Sequence, residues 1–246
     1  MRGVVSKTVN TTKTMKKLGL VGGISWISTI DYYRFINEAV NEKLGGLNFA
    51  ECLLYSVNFN DFQRNNTGGN WEATLELLAD AAENLKKGGA EAIILCANTA
   101  HAVAEKLEER VQLPLIHIAT ATAAAIQQQG LKKLGLLGTK FTMEMDFYKD
   151  KLAENGIEVM VPAQLAVRDY IQETLREELS KGIIRPETKE SYLAVIQDLI
   201  NQGAEGIILG CTEIPMLISQ EDVAVPVFDT TRIHAWAAVD FALGVS

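Results

Sequence analysis

Two of the three cysteines stand where a side chain can do chemistry. Cys96 follows the apolar run EAIIL, and Cys211 follows the apolar run GIILG. Small polar residues that commonly begin a helix come next, Asn98 and Thr99 in one case and Thr212 in the other. Two thiols on opposite sides of one carbon suit two-base stereoinversion, because one thiolate removes a proton from Cα and the other thiol returns one. The pattern therefore predicts an isomerase that uses both thiols.

The residues that follow the predicted strands supply the rest of such a site. Free backbone N–H groups and the helix dipole at a helix start bind a carboxylate and favour a thiolate. Donors there also stabilise the charge that builds on the substrate when Cα loses its proton. Candidate substrate contacts are thus Ile24 and Ser25 after LGLVG, and Thr139 after LGLLG. Cys52 lies inside an apolar run and is assigned to packing.

The elements that position these residues repeat along the chain. Three segments of the first half match three segments of the second half in the same order, at offsets of 116, 114 and 112 residues. The matching pairs are 15–23 with 131–139, 89–95 with 203–209, and 113–116 with 225–228. This period is far longer than that of a solenoid repeat, so we predict two similar halves of domain size.

Each half alternates short apolar runs with amphipathic patterns. The runs LGLVG, ECLLYSV, EAIILC and LPLIHI are typical of strands buried on both faces, as in a parallel sheet. Helical spacing predicts a helix that buries Ile30, Tyr33, Ile36, Val40 and Leu44. The alternation predicts an α/β fold with two pseudo-symmetric, doubly wound, open parallel-sheet domains that face an interdomain cleft.

The predicted domain limits follow from the same pattern. The first domain comprises residues 15–118 plus 229–246, because the stretch after the last strand looks helical and is expected to cross back. The second domain comprises residues 119–228. Residues 1–14 are polar and weakly basic, so we expect a disordered tail or an upstream extension. They lack the apolar core of a secretion signal, and a cytoplasmic location is expected.

Composition excludes several classes of protein. The 246 residues include 23 Lys and Arg against 31 Asp and Glu, and the net charge of −8 disfavours binding to nucleic acids or anionic membranes. Three cysteines without a CxxC motif exclude a disulfide scaffold and a four-cysteine zinc site, and suit a reducing compartment. The histidines at positions 101, 117 and 234 match no metal motif, so we predict no metal.

Four motifs, LVGGISW, LCANTAH, LGCTEIP and FDTTRIHA, resemble those of the aspartate/glutamate racemase superfamily, and of its aspartate racemase branch most closely. The resemblance spans residues 15–244. It implies racemisation of a small-molecule amino acid without pyridoxal phosphate or another cofactor, with Cys96 and Cys211 as the acid/base pair, in a homodimer. It also implies that residues beside each cysteine hold the substrate's α-carboxylate or amino group. Here these residues are Ala97, Asn98, Thr99, Thr212 and Glu213.

The side-chain carboxylate of an acidic substrate needs a cation in a protein of negative net charge. The resemblance implies a basic residue ahead of the second cysteine, and Lys181 has that place. Arg64 is the basic residue that follows the second predicted strand, and an arginine can hold a carboxylate with two hydrogen bonds. Both are candidate substrate-binding residues.

Other functions stay open. Gly-Gly-Ile-Ser after the first strand and Glu213 after the second cysteine disfavour the glutamate-specific branch, but activity on both aspartate and glutamate remains compatible. A hydantoin racemase-like or maleate isomerase-like enzyme and a non-catalytic binder of amino acids or dicarboxylates are alternatives. Two strand-end thiols speak against a binder, and they favour racemisation over the decarboxylation performed by relatives that keep one cysteine.

Overall fold

The structure, a computed structural model, describes residues 15–245 and contains two parallel β-sheets. The disorder or extension predicted for residues 1–14 lies outside the described residues. Strand order is β2-β1-β3 in the first sheet and β5-β4-β6-β7 in the second, with every pair parallel. The strands are β1 (Leu18–Gly22), β2 (Cys52–Ser56), β3 (Ala92–Leu95), β4 (Lys133–Gly138), β5 (Glu158–Met160), β6 (Gly206–Gly210) and β7 (Val227–Asp229).

Helices connect the strands, since parallel neighbours need long crossover connections. Side chains cap several of them. Asn70, for example, accepts a hydrogen bond from the amide of Ala73 at the start of the third helix. The α/β fold class predicted from the sequence is confirmed. The helices are α1 (Trp26–Leu44), α2 (Phe59–Thr67), α3 (Trp71–Lys87), α4 (Ala104–Val111), α5 (Ile118–Gln128), α6 (Lys140–Glu144), α7 (Asp146–Ala153), α8 (Leu165–Glu177), α9 (Pro186–Asn201) and α10 (Thr230–Leu243).

Burial distinguishes β2 from the other two strands of the first sheet. Every residue of β1, β3 and β6 is buried, as their continuous apolar sequences predict. Strand β2 lies at the sheet edge with Leu54 exposed, so the prediction of burial on both faces is wrong there. The run LPLIHI forms only an isolated bridge between Leu115 and Ile93, because Pro114 has no N–H to donate and α5 begins at Ile118.

Helix α1 buries Ile36 and Val40 as predicted but leaves Ile30, Tyr33 and Leu44 exposed, so its buried face is rotated from the predicted one. Ile30 is 54% exposed and Tyr33 57% exposed. Helix α10 packs against α1, and its Ala235 and Ala238 share a core cluster with the buried side chains of α1. The position of α10 therefore selects the face, and spacing within α1 alone does not specify it. The buried residues of α1 are Ser28, Thr29, Tyr32, Phe35, Ile36, Ala39 and Val40.

The carboxyl ends of the two sheets meet at one cleft. Asn98 Nδ2, after β3, donates a hydrogen bond to Thr230 Oγ1, after β7, at 3.0 Å. Helix α10 thus links the second sheet to the core of the first, while the domain limits 15–118 plus 229–246 and 119–228 stay a prediction. Within residues 15–245, no helix has the length and apolar character needed to cross a membrane.

Candidate active site

One cavity collects residues that follow the strands of both sheets. The ends of β1, β3, β4 and β6 all contribute to it, as expected for ligand sites at the carboxyl ends of parallel strands. Of the residues predicted from the sequence, Arg64, Cys96 and Lys181 do not line this cavity. Those that do are Ile24, Ser25, Ala97, Asn98, Thr99, Thr139, Cys211, Thr212 and Glu213.

A thiol and a carboxylate form the chemical centre of the cavity. After β6 the chain turns sharply, and the amide of Ile214 bonds the carbonyl of Cys211 at 3.1 Å. This turn brings Cys211 Sγ to 3.0 Å from Glu213 Oε2, and Thr212 Oγ1 donates to the same oxygen at 2.9 Å. Burial, the charge of Glu213 and this hydrogen bond raise the pKa of Cys211, while nearby backbone N–H groups oppose that shift. The free site therefore holds a protonated thiol.

Cys96 lies outside the cavity, which corrects the two-thiol arrangement predicted from the sequence. Its side chain is fully buried in a core cluster with Leu20 and Ile94. Successive side chains of a strand point to opposite faces, so Leu95 and Ala97 belong to the core cluster on the other face of this sheet. Burial raises the pKa of Cys96 above its usual range. The structure thus brings one thiol to the cleft.

The internal repeat carries the signal for this correction. At the offset of 114 that aligns residues 89–95 with 203–209, Ala97 is the counterpart of Cys211. Cys96 is the counterpart of Gly210. A shift of one residue along a strand turns a side chain to the other face, so similar strand-end positions do not suffice to make two cysteines equivalent.

Two buried polar atoms at the cavity lack partners. Ser25 Oγ and Asn98 Oδ1 have no hydrogen bond from any residue in the described range 15–245. Ser25 also has a φ of 71°, held by hydrogen bonds from Ser28 Oγ and Thr29 Oγ1 to its carbonyl at 3.1 and 2.8 Å. Such a conformation costs a residue with a side chain about 1–3 kcal/mol. Backbone strain together with unpaired buried polar atoms is typical of a ligand-binding site.

Threonine hydroxyls form a row across the cleft. Thr99 Oγ1 lies 2.9 Å from Thr139 Oγ1, which lies 3.1 Å from Thr142 Oγ1. Thr139 caps α6 by accepting a hydrogen bond from the amide of Thr142 at 3.2 Å. These neutral donors are suited to a carboxylate that receives hydrogen bonds rather than an ion pair.

A second pocket, which we call the mouth of the cavity, adjoins the cavity, and two basic residues line it. The residues that the cavity and the mouth share are Ser25, Phe59, Gln63, Arg176 and Ser180. Arg176, on α8, lines both the cavity and its mouth, whereas Lys181 lines only the mouth. Arg176 Nε and Lys181 Nζ each lie 2.7 Å from an oxygen of Glu177, and both lower the pKa of that carboxyl. Arg64 is exposed, pairs with Asp61 at 3.0 Å, and lines neither space. Sequence reasoning missed Arg176 because no motif marks it.

Sequence reasoning also missed an apolar wall. Phe59 and Phe62 from α2, Phe141 from α6 and Leu175 from α8 line the cavity beside the polar strand ends. The residues of α2 carry a polar-rich sequence, NFNDFQRNN, that shows no long apolar pattern. An apolar wall excludes water from part of the site, and electrostatic interactions are stronger where water is excluded.

The three histidines cluster behind the site. The ring of His101 lies 4.8 Å from that of His117 and 5.3 Å from that of His234 between centroids. His101 Nδ1 donates to the carbonyl of Ala97 at 2.9 Å, and His234 Nδ1 lies 2.7 Å from Tyr32 Oη. Burial lowers the pKa of His101 and His234 to about 3 and that of His117 to about 4. The cluster supports the strand end that carries Ala97 and does not line the cavity.

Fold and site together define a class of protein, in which two parallel sheets flanked by helices share a cleft that holds a thiol, a carboxylate and a row of threonine hydroxyls. Such a site is suited to proton transfer at carbon. Among residues 15–245, no group of three or more His, Cys, Asp or Glu is arranged to hold a metal ion. The Asp/Glu/Hydantoin racemase family model matches residues 21–238, and the chain belongs to this family, so it is an enzyme of the racemase class.

Known relatives agree with this assignment. A candidate Asp/Glu racemase of known structure from Yersinia pestis is 50% identical, with 93% of this chain and 100% of that chain covered and a TM-score of 0.86. An aspartate racemase homologue from Pyrococcus horikoshii OT3 is 38% identical, with 93% and 99% covered and a TM-score of 0.80. The broad specificity amino-acid racemase RacX from Bacillus subtilis is 29% identical over 165 residues, 66% of this chain and 69% of RacX.

Proposed function

We propose that this enzyme racemises an acidic amino acid, aspartate in the first place and glutamate more slowly, without a cofactor. Cys211 is the group that removes the Cα proton. The observation that carries the proposal is the Cys211–Glu213 pair, 3.0 Å apart, in a cavity that also presents carboxylate-binding donors. The likeness to an aspartate racemase homologue supports the choice of substrate.

The cavity offers a partner for each charged group of aspartate. The α-carboxylate suits the hydroxyl row of Thr99 and Thr139, which supplies neutral donors. The α-ammonium group suits Glu213, whose carboxylate lies in the cavity. The side-chain carboxylate then extends toward Arg176 and Lys181 at the mouth. Arg64 is not part of the proposed site, because it lines neither the cavity nor the mouth.

Proton transfer in this site is asymmetric. The Cys211 thiolate takes the Cα proton, and the electron pair left on Cα spreads into the α-carboxylate, where hydroxyl donors stabilise it. When Cys211 returns a proton to Cα, the original enantiomer forms again. When another group delivers a proton to the opposite face of Cα, the other enantiomer forms. Ala97, the counterpart of Cys211 in the repeat, carries no acidic proton, so we assign the donation on that side to the Thr99 hydroxyl. Thr99 regains its proton from water through Thr139, and Cys211 releases the proton that it took to water. Exchange of the Cα hydrogen is then faster than inversion for one enantiomer.

Decarboxylation is the second candidate, and the single thiol at the cleft is the observation that favours it. The two-thiol argument against decarboxylation no longer holds, because Cys96 does not line the cavity. Glu213 argues the other way. A buried carboxylate beside Cys211 repels the second carboxylate of a malonate-type substrate and attracts an ammonium group.

The test is an assay in deuterium oxide and reducing buffer without pyridoxal phosphate. L-Aspartate, D-aspartate and L-glutamate are incubated separately, and Cα deuteration and enantiomer ratio are followed by mass spectrometry and chiral chromatography. We expect both aspartate enantiomers to exchange and interconvert. The absence of exchange with all three would refute the proposal. Release of carbon dioxide from aminomalonate in the same preparation would then favour the decarboxylase.

We also propose that the enzyme is a cytoplasmic homodimer. A cytoplasmic location suits the mechanism, because Cys211 must remain a reduced thiol. Tyr33 and Phe49 line one surface groove along α1, and Trp26, Ile30 and Leu47 are exposed nearby in sequence. Several large apolar side chains exposed in one segment of a chain are common at interfaces between subunits. Light scattering is expected to give twice the chain mass, and a monomer at micromolar concentration would contradict this part.

A further inference from the structure

Glu213 is a buried carboxylate without a cationic partner. It is 6% exposed, and within the described part of the chain no Lys, Arg or His lies within ion-pair distance of it. Its Oε2 accepts hydrogen bonds from Cys211 and Thr212, whereas Oε1 has no hydrogen-bond partner among residues 15–245. Burying a carboxylate is costly unless a positive charge or several donors compensate it. Because Glu213 lines the cavity, a cationic group bound there can reach the oxygen that has no partner.

The hydrogen bond between Cys211 and Glu213 makes it harder for the thiol to lose its proton. A thiol donates only while it holds its proton, and loss of that proton would place two negative charges 3.0 Å apart. Two tyrosines near this pair contribute no charge of their own. Burial raises the pKa values of Tyr192 on α9 and Tyr32 on α1, so both stay neutral. Arg176 lines the same cavity from α8 but makes its ion pair with Glu177.

We propose that Glu213 makes the reactivity of Cys211 depend on a bound ammonium group. In the free enzyme the carboxylate keeps the proton on Sγ. When an α-ammonium group binds at Oε1, it compensates the carboxylate, the thiol releases its proton to water, and the thiolate can take the proton from Cα. This inference rests on the proposed function, because it assumes an amino-acid substrate. It assigns Glu213 as a substrate-contacting residue that selects substrates with a free amino group over cyclic ureides and over dicarboxylates that lack an amino group.

The test measures thiol reactivity rather than turnover. Iodoacetamide alkylation is followed separately at each of the three cysteines by mass spectrometry between pH 6 and 10. The variants are Glu213→Gln, which keeps the shape and removes the charge, and Glu221→Gln, which removes an exposed charge elsewhere. Each unit by which the thiol pKa falls raises the thiolate fraction about tenfold and lowers its nucleophilicity about threefold. We expect Cys211 alkylation near pH 7.5 to rise at least threefold in Glu213→Gln and to stay unchanged in Glu221→Gln.

A second measurement needs no variant. Methylammonium carries the charge of the substrate's amino group and leaves most of the cavity open to iodoacetamide. We expect it to accelerate alkylation of Cys211 in the wild type and to have no such effect in Glu213→Gln. Tetramethylammonium chloride at the same concentration controls for ionic strength, because it has no N–H to donate to Oε1.

These outcomes separate the inference from the proposed function. Equal alkylation rates in wild type and Glu213→Gln at every pH, with circular dichroism showing an intact fold, would overturn the role of Glu213. That result would stand even if aspartate is racemised. Lack of acceleration by methylammonium would overturn the dependence on ammonium. Failure of the enzyme to exchange aspartate would instead refute the proposed function, whatever the alkylation rates show.

Discussion

The buried histidine cluster predicts an enzyme that loses stability in mild acid. His101, His117 and His234 are held neutral, with pKa values lowered to about 3, 4 and 3 against an ordinary value of 6.5. The unfolded chain binds protons at these histidines below pH 6.5, and the folded chain does not. Protons therefore favour unfolding, and stability falls as the pH decreases from 6.5 toward 4.

The magnitude follows from the lowered pKa values. One proton bound only by the unfolded state changes the free energy of unfolding by about 1.4 kcal/mol per pH unit. Between pH 6.5 and 5 each histidine thus costs about 2 kcal/mol, and the three cost about 6 kcal/mol together. Many domains have only about 5–15 kcal/mol of stability in total. The cluster alone is expected to bring the enzyme close to unfolding at pH 5.

Urea denaturation followed by circular dichroism at pH 7.5, 6.5, 5.5 and 5.0 measures this loss. His117→Asn is the matched variant, because His117 caps α5 by accepting a hydrogen bond from the amide of Ala119, and asparagine is also a good cap. We expect this variant to lose about one third less stability over the same range. A free energy of unfolding that changes by less than 1 kcal/mol between pH 7.5 and 5.0 would refute the reasoning.

Two further predictions concern the cavity and its mouth. Ser25→Gly relieves the strain of the positive φ and removes no capping hydrogen bond. We therefore expect a melting temperature about 2 °C higher in thermal scans, together with lower activity. A lower melting temperature would contradict the assignment of strain to Ser25. Arg176→Ala is expected to raise KM for aspartate at least tenfold, with Lys181→Ala changing it less and Arg64→Ala leaving it unchanged. Initial-rate kinetics decide, and equal effects at Arg176 and Arg64 would contradict the placement of the mouth.

The sequence predicts the parts of the molecule that local patterns control. Continuous apolar runs identify β1, β3 and β6, because strands of a parallel sheet with helices on both of its faces are buried on both faces. Strand-end position identifies nine of the cavity residues, since parallel strands bring their carboxyl ends together. The alternation of strands and helices fixes the fold class for the same reason.

The misplaced features depend on contacts that a local pattern does not contain. The buried face of α1 is chosen by α10, about two hundred residues later in the chain. Leu54 is exposed on the edge strand β2, whereas β3 at the opposite edge is bridged to Leu115. Arg176 reaches the cavity through the placement of α8. The position of Cys96 is different, because the sequence does contain the information needed to place it. The register of the internal repeat shows that Ala97, and not Cys96, is the counterpart of Cys211.

The most direct test of the central claim compares the two strand-end cysteines. Cα deuteration of aspartate in deuterium oxide is measured for the wild type, Cys211→Ala and Cys96→Ala, with circular dichroism to check each fold. General acid–base groups contribute about 10²–10⁴ in rate, so we predict at least a hundredfold loss in Cys211→Ala. Cys96→Ala is predicted to exchange within threefold of the wild type. An equally large loss in both folded variants would contradict the assignment of one thiol to the cleft.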